Sequence, residues 1–169
     1  MKKYVLTLFA MLLLAGASCQ EKIDNENEMK AMSDKYLELW NEGNLSLCDE
    51  LLSPEIVRHE VDIIEDIIGI EAFKEFVTME RTTFPDFNVT LDELIIKEDN
   101  MVGRWTLTGT NTGPFGELPP TGKKVKLSGV EVSHVVDGKI IEQWVYFNQA
   151  AMLTQLGYTI TPPEIQNEQ

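Results

Sequence analysis

Hydrophobic spacing along this chain changes period once, at Phe84-Pro85-Asp86, and that change restricts the fold more than any other feature. Upstream, apolar residues recur at helical intervals. Met29, Met32, Tyr36, Leu39 and Trp40 mark one face of a helix over 29–40, which Gly43 closes. Ile70, Phe73, Phe76, Val77 and Glu80 step round one side of another helix over 69–84. Between them, a short helix is predicted over 45–52, ended by Ser53-Pro54, and then a strand, EIVRHEV, over 55–61. Downstream, FNVTLDELIIKED, MVGRWTLTGTNTG, KKVKLSGVEVSHVV and KIIEQWVYF read as four long strands, with turns at 98–100, 113–122 and Asp137-Gly138. A last short helix covers 149–156 and stops at Gly157. Helices followed by a run of long strands predict an α+β fold. Strands of this length twist, so the expected sheet is a curved antiparallel cone with the early helices over its concave face. Such a shape encloses one cavity, the default place for a small hydrophobic ligand.

Charge narrows the partners. Asp and Glu number 28 against 14 Lys and Arg, a formal net charge of −14. Phosphate backbones need clustered cations, so nucleic acid is excluded as an expected partner. The first residues read as an address. Met1-Lys2-Lys3 is followed by an uncharged, Leu-rich run from Tyr4 to Ala17, 14 residues long. A helix needs about 20 apolar residues to span a bilayer, so a signal peptide over 1–18 is expected rather than a transmembrane segment. The run Gly16-Ala17-Ser18-Cys19 resembles a bacterial lipobox, although Gly16 stands where Leu is usual. Lipidation at Cys19 is therefore expected, and with it export and a lipid-only membrane anchor facing the periplasm or exterior. Residues 19–28 read as a flexible tether, 29–158 as the domain and 159–169 as a C-terminal tail.

Cys48 lies among Leu45, Leu47, Leu51 and Leu52 and reads as a buried, inert thiol. The chain has two histidines, His59 and His134, too few and too far apart for an expected zinc or iron site. No metal is expected.

The pieces GRW (103–105), GTNTG (109–113), PTGKKV (120–125), DGKIIEQW (137–144) and QLG (155–157) occur in an order and spacing that resembles the SnoaL-like polyketide cyclase family, also called ester cyclases. The likeness spans roughly 29–158 and includes His59, Gly69 and Phe84-Pro85-Asp86. It implies a nuclear transport factor 2-like, or cystatin-like, fold and a homodimer. It also implies ring closure by intramolecular aldol condensation without metal or organic cofactor. In that chemistry a pocket Asp removes a proton next to a carbonyl. The family places this Asp four residues after the Trp of E-x-W, where this chain has Asn148. An amide cannot accept the proton, so either the base has moved or the chemistry is lost. The resemblance makes His134 and Asn148 the candidate catalytic positions. His59, Glu142, Trp144 and Tyr146 are the candidate substrate contacts, and Glu131 is a further possible base.

Strand register decides whether these residues meet. A two-residue turn at Asp137-Gly138 would pair Val136 with Lys139 and His134 with Ile141, turning His134 away from Asn148. A three-residue loop with a bulge would pair His134 with Ile140 and place His134, Glu142, Trp144 and Asn148 on one face. The resemblance favours the second register, which is the one expected. Two functional classes stay open: a cofactor-free cyclase or isomerase, and a non-catalytic lipoprotein domain that binds a small hydrophobic ligand.

Overall fold

A computed structural model describes residues 25–60, 65–159 and 161. The expected signal peptide, Cys19, residues 20–24 of the tether and nearly all of the tail lie outside the described residues. Helix α1 covers residues 25–42, so the segment 25–28, expected as tether, is helical. Then follow α2 (Leu47–Leu51), β1 (Leu52–Glu60), the short β2 (Ile67–Ile68), α3 (Ile70–Thr83), β3 (Asn88–Lys97), β4 (Asn100–Thr110), β5 (Lys124–Val136), β6 (Lys139–Phe147) and α4 (Gln149–Leu156). β1 starts directly after α2 and runs through Pro54, three residues earlier than the spacing predicted.

The six strands form one sheet in the order β2-β1-β6-β5-β4-β3. It is curved and unclosed. The expectation of a wholly antiparallel sheet needs one correction: β1 runs parallel to β6, and every other neighbour pair is antiparallel. The crossover from β1 to the β3–β6 meander is made by α3, the kind of connection a parallel pair requires. α1 and α3 lie on the concave side. Their buried side chains, Leu39 and Trp40 on α1 and Phe73 and Val77 on α3, join Leu52 and Ile56 of β1 and Ile140 of β6 in one core. Burying a Leu, Ile or Phe side chain contributes about 1.5–3 kcal/mol, so this shared cluster fixes the helices to the sheet.

Two glycines shape the region that matters. At the β5–β6 hairpin, Asp137 (φ 50°) and Gly138 (φ 70°) both adopt left-handed backbone, the signature of a two-residue type I′ turn. Val136 accordingly pairs with Lys139 and Val135 with Ile140, which corrects the expected three-residue loop. An extra residue, Ile141, then bulges out of β6, so His134 faces Glu142 and Val132 faces Trp144. Further along β5, Gly129 pairs with Trp105 of β4. A Cβ at residue 129 would sit 2.2 Å from the indole, so only glycine lets Trp105 lie flat across the inner face.

Candidate active site

Alternation along β1, β5 and β6 sorts side chains onto two faces. On the concave side lie Ile56, Arg58 and Glu60 of β1, Glu131 and Ser133 of β5, and Gln143, Val145 and Phe147 of β6. All of these except Ile56 and Gln143 line, with residues of α1 and α3, a cavity of about 140 Å³ that opens to solvent. An apolar cavity of roughly this size holds a benzene-sized ring, and an open mouth admits a longer ligand. Its walls are apolar: Trp40, Phe76 and Phe87 on the helical side, Leu94, Met101 and Trp105 on the sheet side.

The floor is polar. The Arg58 guanidinium is 5% exposed and saturated with partners. Its Nε donates to Glu60 Oε1 at 2.7 Å, and its NH1 donates to Tyr36 Oη at 2.9 Å and Glu131 Oε2 at 3.0 Å. Three rings surround it, Trp40, Phe76 and Phe73, at 5.1, 5.6 and 5.7 Å from the ring centroids. The fully buried Gln143 donates to Glu131 Oε1 at 3.1 Å and Ser133 Oγ at 3.0 Å, and accepts from Tyr36 Oη at 3.0 Å. Burial opposes the Arg58 charge, but Tyr36, Glu60 and Glu131 outweigh it and keep the guanidinium protonated. Burial raises the pKa of Glu131, which Arg58 only partly offsets, and burial likewise raises that of Tyr36.

A third carboxylate reaches the cavity from α3. Glu80 follows Phe76 by one helical turn, on the stripe that faces the sheet. Glu60 is committed to Arg58, and Glu131 to Arg58, Gln143 and Ser133, whereas the Glu80 carboxylate has no hydrogen-bond or ion-pair partner among the described residues. Burial pushes its carboxyl up to about 7; the charge on Glu60 adds to the rise and Arg58 opposes it. One cation therefore serves three acidic groups, and the cavity keeps at least one of their protons close to neutral pH.

None of the six residues expected at the site lines this cavity. His59, Glu142, Trp144 and Tyr146 occupy the phase of β1 and β6 that points out from the convex face, and His134 does the same on β5. There His59 Nδ1 meets Asp66 at 2.7 Å, His59 Nε2 meets Glu142 at 2.9 Å, and the imidazole stacks on Trp144 at 5.3 Å. The hydrogen bond to Glu142 leads the rise in the His59 pKa, with Asp66 adding to it and partial burial opposing it. Tyr146 is 48% exposed. Asn148 is solvent-exposed and caps α4, its Oδ1 accepting the Ala151 amide at 2.9 Å. The physical reason is phase. Residues 142, 144 and 146 share one face as anticipated, but Gln143, Val145 and Phe147 are the ones turned inward. Cys48 is buried as expected, and burial raises its thiol to about 11, far from a nucleophile's range. Among the described residues, no group of three or more His, Cys, Asp or Glu is placed to hold a metal ion.

Tyr36, Arg58, Glu60 and Glu80 were not singled out as functional from the sequence. The available signal was polarity in an apolar phase: Arg58 and Glu60 follow the buried Ile56 at i+2 and i+4, on its face of β1, and Glu80 sits on the apolar stripe of its helix.

The family model described as SnoaL-like polyketide cyclase matches residues 30–156. No curated protein matches the chain. Among solved structures, AclR from Streptomyces galilaeus, described as a candidate hydroxylase, is 29% identical with a TM-score of 0.69, over 82% of this chain and 87% of its own. IdmH from Streptomyces antibioticus, described as a candidate polyketide cyclase, is 26% identical with a TM-score of 0.66, over 76% and 98%. A candidate SnoaL-like polyketide cyclase from Jannaschia sp. CCS1 is 25% identical with a TM-score of 0.67, over 78% and 93%.

Proposed function

The chain belongs to the SnoaL-like polyketide cyclase family, and on that premise we propose that its cavity takes a small, neutral, ring-bearing carbonyl compound and moves protons on it without a cofactor. The observation that carries this reading is the pairing of aromatic walls with a floor of three acidic side chains around one buried guanidinium. Apolar walls select a hydrophobic ligand and exclude water, which strengthens every charge inside. A floor richer in carboxylates than cations repels an anionic ligand and can hold or release a proton. A second reading, a binding domain without turnover, is favoured by one observation: the position where the family keeps its acid is an exposed helix cap, Asn148.

Tryptophan emission tests the binding common to both readings, because Trp40 and Trp105 line the cavity. Titration with 2-indanone and 2-tetralone should give saturable quenching, and Leu107→Trp, which fills the cavity, should abolish saturation. Quenching that never saturates, or that survives the filled cavity, sinks both readings.

A further inference from the structure

Resting on the cavity reading above, we infer that Glu80 of α3 is the group that takes and returns the proton next to the ligand's carbonyl, with Glu60 held beside it by Arg58 as a positioning residue. Three independent placements converge on Glu80. It borders the cavity space directly and is only partly buried. It is the carboxylate left without a partner among the described residues, whereas those of Glu60 and Glu131 are tied down by charge-assisted bonds of 2.7 and 3.0 Å. A lone pair that is already accepting from a guanidinium is a poor base, so a proton arriving from a ligand goes to the carboxylate with uncommitted oxygens. Finally, Glu80 comes from a helix rigidly packed through Phe73 and Val77, so its approach to the cavity is fixed.

The step balances within the ligand and one side chain. The Glu80 carboxylate accepts a proton from the carbon next to the carbonyl. The C–H electron pair becomes the C=C bond of an enolate, and the carbonyl π pair moves onto oxygen. Returning the proton to carbon gives exchange. If a second carbonyl lies within the same molecule, the enolate carbon attacks it, a C–C bond forms, and the resulting alkoxide takes the proton back from the Glu80 acid. No oxidant, reductant or co-reactant is consumed. The raised basicity that burial and Glu60 confer on Glu80 suits it to this task near neutral pH. Its position on α3, far in sequence from residue 148, lets the activity persist where the family's usual acid is an amide.

The test is hydrogen–deuterium exchange at the carbon next to the carbonyl of 2-tetralone, read by proton NMR in D2O with the full-length chain, beside the binding titration. The expected result is accelerated exchange whose rate climbs with pH through about 7 and then levels. Glu80→Gln should keep ligand affinity while losing roughly 100-fold or more of the protein-dependent rate. Glu80→Asp should recover part of that rate, and His134→Gln, on the opposite face, should leave it unchanged. Glu80→Gln is isosteric and removes a destabilised charge, so its melting temperature at pH 8 should equal or exceed that of the wild type. Exchange by Glu80→Gln at the wild-type rate overturns the assignment and leaves the cavity reading intact; a wild type that binds the ketone without accelerating exchange overturns the assignment and leaves only the reading of a binding domain without turnover. Absence of saturable binding by the wild type overturns the cavity reading and this inference together.

Discussion

Arg58 and His59 are adjacent in sequence and live in different solvents. Arg58 points into the concave face, where carboxylates, Tyr36 and three aromatic rings enclose it. His59 points out from the convex face, where two carboxylates and Trp144 hold it within reach of water. The same alternation separates Gln143 from Glu142 and Ser133 from His134. Both faces therefore carry a basic side chain of β1 gripped by two acids, Glu60 and Glu131 inside and Asp66 and Glu142 outside, but burial makes their energetics opposite. Inside, burial holds Glu131 and Glu80 toward their neutral forms and a missing partner is expensive. Outside, solvent compensates for any loss.

The contrast is most directly broken at Arg58. Arg58→Met should cost about 3–5 kcal/mol at pH 7, because it strands Glu60 and Glu131 as buried charges without a cation. The loss should shrink on acidification, as Glu131, whose pKa burial raises, takes up a proton. Urea denaturation at pH 7 and pH 4 measures both; a loss under about 1 kcal/mol at pH 7 would mean the floor is wetter than its geometry indicates.

At the rim between the two faces, Asn148→Ala should cost about 1 kcal/mol through the lost helix cap, with ligand affinity unchanged. Thermal melts beside the tryptophan titration check it. A fall in affinity with little loss of stability would return residue 148 to the cavity.

The smallest effect belongs to the convex face. His59→Gln should cost no more than about 1 kcal/mol, because the pairs are partly exposed. Its sign with pH is definite. The folded-state pKa is raised, so the stabilisation is fully present below the unfolded value of roughly 6.5 and disappears as pH rises through the folded value. The difference in melting temperature between wild type and His59→Gln, followed from pH 5.5 to 9, should therefore be largest at the acidic end. A difference that stays constant with pH breaks the account of this face.

Periodicity made the α+β order legible because the helical stripes and the long strands were each unmixed in period. The parallel pairing of β1 was not legible, since a strand does not encode its neighbour's direction. The hairpin shows how little is needed to mislead. Asp137-Gly138 announced a turn, but the bulge at Ile141 carries no residue signature, and it resets which β5 residue faces Glu142. In β6 both phases are aromatic or aliphatic, Trp144 and Tyr146 outward, Val145 and Phe147 inward, so hydrophobicity could not choose a face. Family likeness chose the outward one. Apart from Glu131, the floor of the cavity is hidden in the sequence for a related reason. A charged side chain is ordinarily assigned to solvent, and only its phase relative to Ile56 or Phe73 marks Arg58, Glu60 and Glu80 as exceptions.

The saturation of Arg58 has a consequence for how the cavity responds when charge moves. Its Nε, NH1 and NH2 nitrogens are engaged by protein groups, and Gln143 locks the far side of the same network. These dipoles have little freedom to turn toward a new charge, so the interior behaves as a stiff medium with low reorganisation energy. A solvent must rearrange its molecules each time negative charge shifts from carbon to oxygen. This floor instead presents a field already set by the fold, its ordering met once, during folding, and not each time charge moves.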